Sequence, residues 1–223
     1  MVLHNGKKAV ISRRHLLAGA ASVLVAPTVA FAEHQCQPNQ FGQQVCYAQV
    51  PVQSLAAIYD DQNQSQWCWA ASIAMLFNAF GYRVSQERIV QETFGGLFNM
   101  PAGSGSVISQ QINRSWRDDG GRAFRSQLVA SYDFDARRAA IDNPFMIAQL
   151  ADNRPMIYGN RSHAMLFTRI DYVPTPMGPN VFAAGVLDPW PGIGPRSLSP
   201  IEMVPMHLGG NYRYLAAVHI SPA

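Results

Sequence analysis

The chain has 223 residues, with 17 Lys and Arg, 14 Asp and Glu, three cysteines and 48% hydrophobic residues. Its basicity sits at the N-terminus: Lys7, Lys8, Arg13 and Arg14 precede Glu33 and no acidic residue does, so residues 33–223 hold 13 basic groups, all Arg, against 14 acidic ones. That balance leaves no basic footprint for nucleic acid or an anionic membrane surface, and no later apolar run reaches the ~20 residues needed to span a bilayer.

Residues 1–32 read as an address. The basic residues form an n-region, Leu16 to Ala26 is mostly apolar and small, and Ala30-Phe31-Ala32 fits the small-x-small rule for signal-peptide cleavage. Ser12-Arg13-Arg14-His15-Leu16-Leu17 has the form of a twin-arginine signal. The expected location is therefore periplasmic or secreted, as a mature chain with no membrane attachment. An uncleaved anchor is the alternative, and the length and flanks of the run speak against it. Cleavage would leave 191 of the 223 residues, the size of one domain with a sizeable core.

Residues 33–50 read as an N-terminal arm, polar and Gln-rich, containing Cys36 and Cys46. In an oxidising compartment those two are expected to form a local disulfide, with Cys68 the odd thiol. Either could instead pair with Cys68, which would abolish any chemistry of that thiol. Residues 51–61 read as irregular or strand. Cys68 to Phe80 has no Pro, no Gly and no charge, and is rich in Ala among large apolar residues, which predicts a helix buried all round. Gly81 would end it.

Ser85 predicts the cap of a second helix through Glu92. A Gly/Ser/Pro loop to Ser106 and a third helix over 107–116 follow. Residues 123–132 predict a strand, and Asn143-Pro144 the start of a helix to Asp152. Later segments read as strands, 155–158, 163–172, 181–187 and 212–220, with the proline-rich run 173–179 as a loop. Helices first and strands later predict an α+β domain with an antiparallel sheet.

Cys68 falls at the predicted helix start, where unpaired backbone N–H groups stabilise an anion and so favour a thiolate nucleophile. The bland alternative is a small apolar Cys on a buried helix. Of the histidines after residue 32, His34 lies in the arm, His207 in a loop and His219 in the last strand, whereas His163 stands at a turn-to-strand boundary. Facing residues of an antiparallel pair have a nearly constant index sum. A hairpin centred on Pro176 sets that sum near 352 and brings His163 beside Asp188. A carboxylate there would fix the tautomer of the imidazole and stabilise its charged form. Asp188-Pro189 also reads as an ordinary turn initiator. Gln62, six residues before Cys68, can supply an amide donor to a developing oxyanion, although Gln64 and Gln66 lie close enough to do the same. No zinc-ligand spacing is present, and neither metal nor cofactor is expected.

Gln62-x5-Cys68, the string Gln66-Trp67-Cys68-Trp69-Ala70-Ala71-Ser72, Ser162-His163-Ala164-Met165-Leu166 and Val186-Leu187-Asp188-Pro189-Trp190-Pro191-Gly192 occur in that order. Together they resemble papain-like cysteine peptidases over about residues 51–220. The W-C-W-A-A core is most similar to a bacterial branch that includes bacteriocin-leader-processing peptidases and a plant-pathogen effector protease. The resemblance implies an α+β papain-like fold over 51–223, a helical part led by the Cys-bearing helix packed on the sheet. It implies Cys68 as nucleophile, His163 as general base and acid, Asp188 as orienting group and Gln62 as oxyanion donor. The partner implied is a peptide or protein substrate, with no nucleic acid, and the chain is expected to be a monomer. Papain's Cys-Gly-Ser-Cys-Trp is absent and the third member is Asp rather than Asn, which bears on substrate preference more than on reaction type. Alternatives are a non-catalytic binding module of the same fold, a transglutaminase-like acyltransferase, and self-processing with 33–50 as a propeptide.

Overall fold

The computed structural model describes residues 33–223, so the expected signal segment lies outside the described residues. The 33–50 segment is not an extended arm: β1 (Glu33–Pro38) and β2 (Gln44–Gln49) form a hairpin. Cys36 and Cys46 lie directly opposite one another in it and are disulfide-bonded. Cys46, Ala48 and Val50 alternate inward and are buried, which seats β2 in the main sheet. Their small side chains gave that alternation little weight in the sequence.

Residues Val52–Ile58 are helical (α1), not irregular, with Leu55 and Ile58 buried. Helix α2 runs Cys68–Ala79, and residues from Trp69 to Phe77 are all buried. Helix α3 (Gln86–Phe94) is capped by the Ser85 side chain and ends at Gly95, which adopts the left-handed conformation. Helix α4 spans only Gly105–Gln111. The rest of its expected range is a turn and then β3 (Ser115–Arg117), pulled into strand by pairing with β4 (Ala123–Asp133). The two-residue strand β5 (Arg138–Ala139) also pairs with β4. Helix α5 (Asn143–Ala151) is capped by Asp142, one residue earlier than expected, with Pro144 in its first turn.

Strands β6 (Met156–Gly159), β7 (Ala164–Val173), β8 (Asn180–Asp188) and β10 (Tyr214–Pro222) match the predicted strands to within two residues. Between β8 and β10 lie β9 (Gly194–Ser197), helix α6 (Pro200–Met203) and a 3-10 turn at Met206–Leu208. The described residues thus form a mixed α+β unit with six α-helices and one large sheet, paired antiparallel throughout, in the order β1-β2-β7-β6-β10-β4-β3. Strand β8 extends along the other edge of β7, with β9 outside it.

Three facts position the site. Strand β7 is shared by β6 and β2 on one edge and by β8 on the other. Its first residues and the last residues of β8 therefore meet at one end of the sheet. Helix α2 packs on β6 and β7, and its Ala70, Ala71 and Ala74 are buried. Phe77, near its far end, meets Trp116 and Phe124 edge-on at 5.5 and 5.1 Å, contacts worth roughly 0.5–1.5 kcal/mol each beyond their buried area. No helix among the described residues is long and apolar enough to cross a membrane.

Candidate active site

Cys68 is the first residue of α2, half-buried, and not part of the disulfide. The preceding residues are fixed before the helix begins. The Gln62 backbone N–H donates to the Pro189 carbonyl (2.8 Å) and Trp67 N–H to the Gln64 carbonyl (3.0 Å). The first bond ties the approach to Cys68 directly to the segment that follows Asp188.

His163 lies one residue before β7. Asn160 shapes the turn: its Oδ1 accepts from the backbone N–H of Ser162 (3.0 Å) and of His163 (2.8 Å). Asp188 ends β8. In the β7–β8 ladder the index sum is 353 at Leu166–Leu187 and 354 at Ile170–Ala184, one or two above the value inferred from the loop, and it steps between the two at a pair of bulges. The expected meeting survives that slip, because His163 Nε2 and Asp188 Oδ1 lie 2.6 Å apart. With Nε2 engaged by Asp188, Nδ1 is the ring nitrogen left for Cys68, which lines the same cleft.

Burial disfavours a charged imidazole, but hydrogen bonds to Asp188 and to Cys68 outweigh it and raise the His163 pKa to about 9. Asp188 is only 4% exposed. Burial would raise its pKa; hydrogen bonds from His163, Arg196 and the Trp190 N–H prevail and hold it at about 2. The Trp190 ring stands edge-to-face beside the imidazole, with centroids 6.2 Å apart.

The sequence missed the next two members. Arg196, on β9, donates from Nε to Asp188 Oδ2 at 2.8 Å. Its Nη2 pairs with Glu202 Oε1 at 2.9 Å. Glu202 also closes a capping box with Ser199 and accepts from Asn160 Nδ2 at 3.2 Å. Charges therefore alternate along His163, Asp188, Arg196 and Glu202, and the last member returns to the turn that carries the first. The strand that delivers Arg196 is hidden in Gly192-Ile193-Gly194-Pro195, whose composition reads as loop.

Gln62 is buried, its Nε2 donates to the Gln64 carbonyl at 3.0 Å, and its Oε1 accepts no hydrogen bond among the described residues. Gln66 is exposed and lines the cleft beside Cys68; neither Gln62 nor Gln64 is among the residues that line it. The other histidines among the described residues stand apart from this cluster. His34 bonds to Tyr172 and His207 to Tyr132, and His219 is exposed on β10.

The cleft has a volume of ≈ 350 Å³ and is walled by Cys68 and Trp69, by the Pro101–Gly105 stretch, and by Asn160 to Ala164 with Tyr214. A larger apolar cleft of ≈ 440 Å³ lies between β7, β8 and α6, lined by Phe167, Ile170, Met203 and Tyr212. It holds no thiol or histidine.

Fold and site together define an α+β protein in which a free thiol at a helix start shares a cleft with a half-buried imidazole that is paired behind it with a buried carboxylate. No protein-family model matches the chain, and no curated protein matches it either.

Proposed function

We propose that this protein is a papain-like cysteine peptidase that hydrolyses peptide bonds through Cys68, His163 and Asp188. The observation that carries the reading is the imidazole of His163, bound through Nε2 to Asp188 at 2.6 Å and flanked by the thiol of Cys68. That order of groups suits a thiolate nucleophile with an imidazole as its proton partner. The Cys68 thiolate attacks the scissile carbonyl carbon, the C–N bond breaks, and the imidazolium gives its proton to the leaving amine. The neutral imidazole then takes a proton from water, whose oxygen displaces the thiolate from the thioester. The Cys68 backbone N–H at the helix start and an amide from Gln62 are the proposed donors to the oxyanion.

Export is part of the same reading. It is supported by the Cys36–Cys46 disulfide, a bond that persists in oxidising compartments. The deciding experiment is labelling with a peptidyl epoxide or vinyl sulfone followed by peptide mapping. Native wild type should be modified at Cys68, and His163→Ala should slow that modification at least ~100-fold, the lower end of a general base's contribution. Equal labelling of native and denatured protein would overturn an activated thiol. Wild type that is labelled but cleaves no member of a peptide library would overturn the peptidase.

A further inference from the structure

The two indoles that flank the nucleophile are each anchored through the ring N–H. Trp67 Nε1 donates to the Phe98 carbonyl (2.9 Å) and Trp69 Nε1 to the Met100 carbonyl (3.1 Å). Asn99, between those carbonyls, accepts from the Gln66 backbone N–H (2.9 Å) and donates to Ser65 Oγ (3.0 Å). Four hydrogen bonds thus fasten residues 98–100 along residues 65–69. The segment holds three large apolar side chains out in water: Leu97 is 60% exposed, Phe98 52% and Met100 47%. Gly96 makes room for the Phe98 ring, since a Cβ there would lie 2.7 Å from it.

Apolar side chains on a loose loop would fold down and bury themselves, at roughly 25 cal/mol per Å² gained. Here the backbone is fixed by the same residues that present Cys68, so the ridge stays outward. It runs without interruption into Pro101, Ala102 and Gly103, which wall the Cys68 cleft. No charged residue occurs from Phe94 to Gly105. On the Asp188 side of the site, Trp190 and Ile193 are each 49% exposed.

We infer that Leu97, Phe98 and Met100 form a recognition ridge for the substrate polypeptide, whose class is a protein or peptide presenting an extended segment of large apolar side chains. The inference rests on the peptidase reading for what the occupant is. Its occupant is the substrate chain because the ridge is continuous with the cleft that holds the nucleophile.

The test uses the triple substitution Leu97→Ser, Phe98→Ser, Met100→Ser. It leaves every hydrogen bond above in place, because those bonds use backbone carbonyls and Asn99. Modification of Cys68 by iodoacetamide, too small to reach the ridge, should be unchanged, which shows an intact site. Fluorescent peptides with Leu- and Phe-rich or Ser- and Gln-rich sequences are then titrated against Cys68→Ala protein with and without the triple substitution. The apolar peptides should lose at least about tenfold in Kd, consistent with the burial energy of these side chains, and the polar peptides should not change. Equal Kd values with and without the substitutions would overturn the ridge. So would sedimentation showing a dimer that the substitutions dissolve, or binding to anionic or neutral vesicles that they abolish, since the occupant would then be a second copy or a lipid surface. Failure of wild type to cleave any peptide, with discrimination in binding retained, would sink the peptidase and leave the ridge standing.

Discussion

Arg196 holds the oxygen of Asp188 that His163 does not use: Nε donates to Oδ2 at 2.8 Å while Oδ1 faces the imidazole at 2.6 Å. A carboxylate fixed at both oxygens cannot rotate away from the histidine. Glu202 holds Arg196 in turn and balances its charge. Breaking this clamp by Arg196→Met leaves Glu202 without its cation and Asp188 with the His163 imidazolium alone. The expected loss is about 2–4 kcal/mol of stability, scaled down from a fully buried pair because the Arg196 side chain is 28% exposed. Urea denaturation measures it. The Asp188 pKa should rise, so the acid edge of Cys68 alkylation should move to higher pH. Arg196→Met with Glu202→Gln should be milder than Arg196→Met alone.

Stability should have a defined pH window. The folded state binds the His163 proton more tightly than the unfolded chain, with a pKa of about 9 against 6.5. That contribution, on the order of 3 kcal/mol, is complete below about 6.5 and is lost as pH rises through about 9. Asp188 works in the opposite sense, with a pKa of about 2 against 3.8. Its contribution is complete above about 4 and is lost as pH falls through about 2. Urea midpoints should therefore form a plateau from about pH 4 to 6.5. His163→Ala should flatten the fall on the alkaline side; an unchanged fall would show that other groups cause it.

The oxyanion donor can be separated from its neighbours by substitution. Gln62→Ala should reduce kcat of peptide cleavage by about 10²–10³, the usual loss for one such donor, while iodoacetamide still modifies Cys68 at the wild-type rate. Gln66→Ala, at the exposed rim of the cleft, should act on KM. Reversal of these two outcomes would move the donor role to Gln66.

The disulfide should act locally. Among the described residues strand β1 pairs only with β2, whereas β2 is held on its other edge by β7. Reduction, or Cys36→Ser with Cys46→Ser, should lower stability by about 2–3 kcal/mol for so short a loop. It should also deprotect the amides of residues 33–38 to hydrogen exchange. Epoxide labelling of Cys68 should persist.

Gly105 lines the cleft beside Tyr214. A Cβ there would lie 2.3 Å from the Tyr214 ring and 2.6 Å from Asp133 Oδ2. Gly105→Ala should cost about 1–3 kcal/mol, as overpacking does, and should slow cleavage by displacing Tyr214 into the cleft. Thermal melting and KM report the two effects.

The α2 helix, the two site strands β7 and β8 and the meeting of His163 with Asp188 were legible in the sequence because each depends on local signals. An uninterrupted Ala-rich run, a proline-rich loop and two apolar runs of matched length suffice to align one hairpin to within two residues. The 33–50 segment, Arg196 and the Phe98–Met100 ridge were not legible. Each acquires its role only from a partner far along the chain: β7 for the hairpin, Asp188 and Glu202 for Arg196, two indoles for the ridge carbonyls. Residue type and spacing set propensity over a few turns or strands. Which oxygen a guanidinium meets, and which backbone carbonyl an indole finds, is decided by packing between segments, and that exists only once the chain has folded.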